Sequence, residues 1–261
     1  MRKSFIWKIT LLVLFASFWG WSASTLASSP SGLEILTKVD QTMKAETKVM
    51  SQTMTLITAT GQQRTRELQM WSKQNANGDQ MLARFLAPAD VKGTGILMNA
   101  EDMWLYLPAL GRVKRVASHA KKGSFMGSDL SYDDMEQLGS KGFSSEFEAT
   151  LLGEEQLEGS KTYLLNLQPL AQESDYEYLK MWVDGEVWLP RKIEYYREKD
   201  ALFKVLTTWD LEQVEGRWVA NQMIMEDRQK GTKTVLDVQE VSFDLPIDDS
   251  LFTTRTLERG L

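Results

Sequence analysis

The chain of 261 residues contains no cysteine and a single histidine, His119. Without cysteine the protein can form no disulfide and offers no thiol for acylation. One histidine supplies too few nitrogen ligands for an ordinary transition-metal site, and His119 stands among small and basic residues rather than beside a matched acid. The sequence also lacks a Gly-x-Ser-x-Gly elbow. We therefore expect no catalytic residues, no metal and no cofactor.

Long apolar runs are scarce, and the clearest one lies at the beginning. Three basic residues among the first eight precede an apolar run over 9–19, and Thr25-Leu26-Ala27 offers the small residues that a signal peptidase reads. The run of about 11 to 13 residues is shorter than the roughly 20 that cross a bilayer, which favours a cleaved signal over a retained anchor. We expect residues 1–27 to be removed and residues 28–261 to form a single domain in the periplasm.

The chain has fewer basic residues than acidic ones. Thirty Lys and Arg face 36 Asp and Glu, a net charge of −6, which becomes −9 when the three basic residues of the signal are lost. An acidic surface argues against nucleic acid as a partner and against docking on anionic headgroups. It does not argue against binding acyl chains, which are uncharged.

The spacing of apolar residues predicts one helix followed by many strands. Leu33, Leu36 and Met43 recur at helical spacing over 33–44, with Ser31 as the N-cap. From residue 47 onward the period changes to two, and turns of two residues separate the runs. We count roughly 12 to 13 antiparallel strands, more than the about ten at which an open sheet tends to curl.

An excursion over 117–144, rich in glycine and serine, interrupts this meander, and insertions of such length are usually functional or mobile. The strand over 103–107 is apolar on both faces, with Trp104 and Tyr106 on one side. A strand of this kind needs a cover on each side. We expect a curved sheet with the helix and the excursion packed in its concavity.

Two charge clusters allow alternatives. The acidic cluster over 129–136 fits a solvated helix start or a calcium site, although its spacing matches no EF-hand loop. The basic cluster of Arg112, Lys114 and Arg115 either protects an edge strand from pairing or docks on a membrane partner.

Residues 84–134 resemble a known family. The run Arg84-Phe-Leu-Ala-Pro-Ala-Asp-Val-Lys-Gly-Thr-Gly-Ile-Leu97 leads into Asp102-Met-Trp-Leu-Tyr-Leu-Pro108, Arg112-Val-Lys-Arg115 and Ser124-Phe-Met-Gly-Ser-Asp-Leu-Ser-Tyr-Asp-Asp134. These stretches are similar to the LolA-like outer-membrane lipoprotein-sorting group, in particular its larger branch often encoded near RND-type exporters. The resemblance implies a half-open antiparallel β-barrel with a helical lid, whose apolar interior holds acyl chains of a lipoprotein or lipid.

The resemblance also implies a set of site residues. The expected cavity wall consists of Phe85, Met98, Trp104, Tyr106, Met181, Met223 and Met225. Phe125 and Met126 would belong to the lid. LolA carriers latch the lid with the arginine of an Arg-Pro-Asn-Leu-Phe stretch, which is missing here, so Arg84 is the candidate latch. The 13 methionines suit a wall that adapts to variable apolar ligands, although they equally fill gaps in an ordinary core.

Two functions of different classes follow. The first is a monomeric periplasmic carrier that takes acyl chains from the inner membrane to an acceptor at the outer membrane. The second is an adaptor of an inner-membrane RND-type exporter, with a packed core and no ligand. A hydrolase is disfavoured because positioned acid and base groups are missing.

Overall fold

The computed structural model describes residues 29–75, 78–100, 102–172 and 174–260, so the expected export signal lies outside the described residues. Its main feature is one antiparallel sheet of 13 strands. The strands are β1 (Thr47–Ile57), β2 (Gln63–Lys73), β3 (Gln80–Ala87), β4 (Gly95–Asn99), β5 (Asp102–Leu107), β6 (Arg112–Val116), β7 (Phe147–Leu157), β8 (Ser160–Pro169), β9 (Tyr178–Asp184), β10 (Pro190–Arg197), β11 (Ala201–Val214), β12 (Arg217–Asp227) and β13 (Thr232–Phe243).

The strand order is β6-β5-β4-β3-β2-β1-β13-β12-β11-β10-β9-β8-β7. The chain therefore enters the sheet in the middle, meanders to one edge, crosses to the other edge and meanders back until β13 pairs with β1. Met54 in β1 lies opposite Leu236 in β13 in this central pair. The sheet is curved but not closed, since β6 and β7 remain edges, which confirms the predicted half-open barrel.

Helix α1 (Gly32–Met43) lies close to the predicted bounds and begins at the predicted cap, where Ser31 and Glu34 form a reciprocal capping box. Its buried face carries Ile35, Leu36 and Val39. The expectation that Leu33 lies on that face is wrong, because this side chain is 56% exposed. Ile35, two residues further along the helix, is buried instead.

The segment 117–146, which we call the lid, runs from β6 to β7. It contains two short 3-10 helices, helix α2 (Tyr132–Glu136) and a π-helical turn (Gln137–Lys141). Phe125, Leu130 and Met135 of the lid share one buried cluster with α1 and with side chains from most of the strands. We call the face of the sheet that carries this cluster the inner face. The cover predicted for the concavity is thus present.

A second cover, which the sequence analysis did not predict, lies on the outer face. A 3-10 turn (Asp249–Phe252) and helix α3 (Thr254–Arg259), together the C-terminal segment, bury Phe252 and Leu257 against Leu82 and Leu97. Strands β3 and β4 are therefore apolar on both faces because they lie between two covers.

Within the described ranges, no helix is long and apolar enough to cross a membrane.

Candidate functional site

An apolar cavity of about 130 Å³ lies between the inner face of the sheet, the end of α1 and the turn that follows α2. Strands β1–β3 and β10–β13 supply most of its wall. Six methionines line it, namely Met43, Met50, Met70, Met81, Met135 and Met223. Because methionine is flexible and polarizable, such a wall can fit apolar groups of different shapes.

The pairing of the strands explains why these side chains meet. Residues directly opposite one another in an antiparallel pair point to the same face. Met50 of β1 lies opposite Met70 of β2. In the next inward row, Lys48 lies opposite Ser72, and Ser72 lies opposite Met81 of β3. Alternation along β1 thus places one lysine in the same inner surface as the methionines.

Few polar groups face the cavity, and Lys48 is the one charged residue among those that line it. Gln52 is 2% exposed and donates from Nε2 to the sulfur of Met70 at 3.2 Å. Its Oε1 has no hydrogen-bond partner among the described residues. The hydroxyl of Thr208 donates to the carbonyl of Pro190 at 2.6 Å. The wall of the cavity is consequently apolar, with polar groups at few points.

The size of the cavity limits what it can hold as it stands. A buried apolar cavity of roughly 150 Å³ binds a molecule the size of benzene. The present cavity therefore accommodates a short piece of hydrocarbon, and a longer acyl chain requires the methionines or the lid to move.

The lid is held over the sheet by polar contacts. The carboxylate of Asp129 accepts hydrogen bonds from Thr232 at 2.5 Å and Thr234 at 2.8 Å, both on β13. At the other end, the carboxylate of Asp40 on α1 accepts from the backbone N–H groups of Phe143 at 2.6 Å and Ser144 at 2.8 Å. These contacts fix the lid to both the sheet and α1.

A buried charged group adds a third attachment. Lys204 of β11 contacts the carboxylate of Asp134 in α2 at 3.2 Å, and both side chains are buried. The hydroxyl of Tyr176 donates to the same carboxylate at 2.9 Å. Burial, and next the charge of Asp134, raise the pKa of Tyr176 well above its ordinary value, so it stays a hydrogen-bond donor.

Arg66 of β2 contacts the lid directly, and sequence reasoning missed it. Its guanidinium donates to the carbonyl oxygen of Met126 and lies 6.0 Å from the ring centre of Phe85. Arg66 lies opposite Met54, an inner residue of β1. The alternation of side chains along a strand could have identified it, because Arg66 lies on the same face of β2 as the inner residues Leu68 and Met70.

The predicted wall residues fall into three groups. Met223 lines the cavity. Phe85, Met98, Met181 and Met225 lie in the inner cluster but do not line the cavity. Trp104 and Tyr106 lie on the outer face, packed with the C-terminal segment, so their assignment to the cavity wall is wrong. Their neighbours Met103 and Leu105 point inward instead.

The predicted lid residues lie in the segment 117–146, whereas the predicted latch Arg84 lies on β3. Phe125 is fully buried, and Met126 packs partly buried against the inner cluster. Arg84 points to the outer face, where it donates to the carbonyls of Thr256 at 3.1 Å and Leu257 at 2.8 Å. It therefore latches the C-terminal segment, and among the described residues it forms no hydrogen bond with the lid.

The structure does not bring the predicted docking patch together. Arg112 and Lys114 of edge strand β6 lie opposite inward-facing residues of β5, whereas Arg115 lies opposite the outward-facing Trp104. Arg115 also forms an ion pair with Asp102. The three charges are thus divided between the two faces, and docking through Arg112, Lys114 and Arg115 stays a prediction.

The acidic cluster is used within the fold. Asp129 and Asp134 hold the lid as described, and Glu136 pairs with Lys121 at 2.9 Å in a buried contact. Among the described residues, no group of three or more histidine and acidic side chains is arranged to hold a metal ion.

Comparison with known proteins then gives the relationships of the chain. A family model described as "Uncharacterized protein" matches residues 77–259. No curated protein matches the sequence.

Solved structures give closer descriptions. A domain described as an outer membrane lipoprotein-sorting protein, from Vibrio parahaemolyticus, is 32% identical, with 87% of this chain and 98% of that chain covered and a TM-score of 0.80. A DUF1329 family protein from Desulfovibrio piger is 30% identical over 87% and 97%, with a TM-score of 0.81. A LolA superfamily protein from Nitrosomonas europaea shares the fold at 22% identity over 86% and 98%, with a TM-score of 0.71. Because the first two matches span nearly whole chains at 30% identity or more, this chain belongs to the LolA-like outer-membrane lipoprotein-sorting family.

Proposed function

We propose that this protein is a periplasmic carrier that holds acyl chains of a lipoprotein or lipid in its cavity and moves them between the inner and outer membranes. The single observation that carries this proposal is the methionine-lined cavity beneath a lid that polar contacts fasten. Exposing a hydrocarbon chain to water costs about 0.8 kcal/mol for each methylene group. A cavity that shields such a chain can carry it through an aqueous compartment, and no covalent chemistry is needed.

The family relationship supports the same proposal, since one relative is described as a lipoprotein-sorting protein. The apolar run near residue 9 supports export. The acceptor, and any RND-type exporter that works with this protein, are partners to be sought by crosslinking.

The proposal is tested by identifying what the protein carries. The full chain is expressed with its own leader, purified from the periplasm and measured by native mass spectrometry before and after solvent extraction. We expect a bound species with the mass of a lipid, which extraction removes. Protein that is empty in repeated preparations, and that takes up no labelled lipid from vesicles, would contradict the proposal.

A pair of adjacent variants on β12 sharpens the test. Met223→Glu places a charge in the cavity wall, whereas Ile224→Glu places the same charge on the opposite face, because side chains alternate along a strand. We expect the first variant to lose most of its bound lipid and the second to retain it, with circular dichroism showing that both fold.

One observation favours the adaptor as a second candidate function. The cavity has only about 130 Å³ of room, and much of the concavity is filled by the lid and α1. An adaptor would be purified empty and would crosslink to a membrane exporter without lipid, which is the reverse of the result expected for a carrier.

A further inference from the structure

A polar recess adjoins the apolar cavity at one end. The two share Met43, Lys48, Ser72, Leu138 and Gly139. The recess has about 30 Å³ of room, and these shared side chains stand between it and the cavity. Lys48 stands at the junction of the two environments.

The charges around the recess are unequal. Besides Lys48, the recess is lined by Lys44 and Lys73 and by the carboxylates of Asp40 and Asp79. Lys73 pairs with Asp249 at 2.6 Å, and Asp40 is engaged by the backbone of the lid. Burial raises the pKa of Asp79, which Lys44 partly offsets. Lys44 is exposed and its charge already acts on Asp79, whereas Lys48 forms no ion pair among the described residues.

Lys48 is in an unusual position for a charged side chain. It is half-buried on the inner face, between Phe243 of β13 and Ser72 of β2. Burial lowers its pKa. An opposite charge nearby favours the charged form of a lysine that is partly removed from water. An anion supplied by a ligand would complete the pair here.

We propose that the site takes a single acyl chain that carries an anionic head, either a carboxylate or a phosphate. The chain lies in the methionine-lined cavity, and the head lies in the recess against Lys48 and Lys44. The cavity as it stands has room for a short piece of hydrocarbon, which favours one chain over several, and a longer chain requires the methionines or the lid to move. The recess is lined by three lysines and two aspartates, which leaves a local excess of positive charge on an acidic protein. This inference rests on the proposed carrier function and specifies its ligand.

The inference is tested with three probes that share one palmitoyl chain. Palmitate carries a carboxylate, lysophosphatidylglycerol carries an anionic phosphate and monopalmitoylglycerol is uncharged. Each is titrated below its micelle concentration into delipidated mature protein at pH 7 and low salt. We expect at least one anionic probe to bind about tenfold more tightly than the uncharged probe, since a hydrogen bond to a charged group commonly contributes that much. The palmitate and phosphate arms show which head is preferred.

Variants show whether Lys48 causes the preference. Lys48→Met should remove most of it and leave binding of monopalmitoylglycerol unchanged, whereas Lys48→Arg should retain it. Lys92→Met removes the same charge from an exposed turn and should change nothing.

The outcomes separate this inference from the carrier function. Equal binding of all three probes to the unmodified protein would overturn the inference and leave the carrier in place. Loss of the uncharged probe in Lys48→Met would also overturn it, because Lys48 would then only support the wall. Binding of none of the probes would contradict the carrier function itself.

Discussion

The direction of each side chain across the sheet determines what the residue can do. Met103 and Trp104 are neighbours in β5, yet Met103 packs under the lid and Trp104 under the C-terminal segment. The same alternation separates Arg66, which contacts the lid, from the outward-facing Arg84. Sequence spacing identified these residues as apolar or basic, and the register of the strands decides their roles.

At this scale, Arg84→Met should release the C-terminal segment. The guanidinium is 7% exposed and donates to carbonyls of Gly93, Thr256 and Leu257, so its loss leaves buried acceptors without partners. We expect a loss of about 2–3 kcal/mol in the free energy of unfolding, measured in urea. Limited proteolysis should cut the variant near its C-terminus.

The control for this variant is Arg64→Met, which removes an exposed arginine that forms no hydrogen bond or ion pair among the described residues. It should leave both stability and proteolysis unchanged. If the two variants behave alike, the latch assigned to Arg84 is wrong.

Among the elements, the lid combines a buried apolar surface with a few strong polar attachments. Phe125 packs against Phe85 and Tyr132, with ring centres 6.1 Å and 5.4 Å away. Hydrophobic contact of this kind is not directional, whereas the carboxylates of Asp129 and Asp134 bind fixed donors. The apolar contacts hold the lid down, and the polar contacts fix where it sits.

Lys204→Met tests the buried attachment. It leaves the carboxylate of Asp134 buried without its positive partner, and breaking such a pair typically costs about 3–5 kcal/mol. The measurement is urea unfolding together with hydrogen exchange of the lid. The double variant Lys204→Met/Asp134→Asn should recover part of the lost stability, since no charge is then buried without a partner. A single variant that costs less than about 1 kcal/mol would show that the pair does not hold the lid.

The start of α2 should also make stability depend on pH. Partial desolvation, followed by the charge of Glu136, raises the pKa of Asp133 to about 6 in the folded protein, above its ordinary value of 3.8. The folded state therefore binds this proton more tightly than the unfolded state, and its contribution to stability is lost as pH rises from about 4 through 6.

Asp133→Asn should remove this part of the pH dependence. Because the side chain keeps contact with solvent, the expected difference is below about 1 kcal/mol between pH 4 and pH 7. Unfolding in urea at several pH values measures it. Glu148→Gln, at an exposed carboxylate, is the control and should leave the profile of the unmodified protein unchanged. A profile of Asp133→Asn that parallels the unmodified protein would refute the assignment.

For the whole molecule, the sequence predicted the architecture better than the site. Two-residue turns such as Glu215-Gly216 are local signals, so the strands on either side could be assigned from neighbouring residues. The closing pair of β1 with β13 joins segments far apart in the chain, and no local signal encodes it. The C-terminal segment was missed for the same reason, because Phe252 and Leu257 acquire their partners only when β3 and β4 are in place.

The cavity shows the same limit. Its methionines come from the helix, the lid and four strands, and only the folded sheet brings Met43 and Met223 into one wall. Alternation along the strand separated Trp104 from Met103 in the sequence, but it did not show which of the two faces is the inner one. Which inward residues line open space, and which are packed solid, depends on how the lid and α1 fill the concavity.

The lid joins the two free edges of the sheet, since it leaves β6 after Val116 and enters β7 at Phe147. One continuous stretch of chain therefore acts as a tether across the mouth of the half-open barrel. The two edges of the sheet cannot separate by more than the fully extended length of this stretch. The covalent links to β6 and β7 thus keep the lid at the mouth of the sheet even when its hydrogen bonds to β13 and α1 are broken, independently of the residues that line the wall.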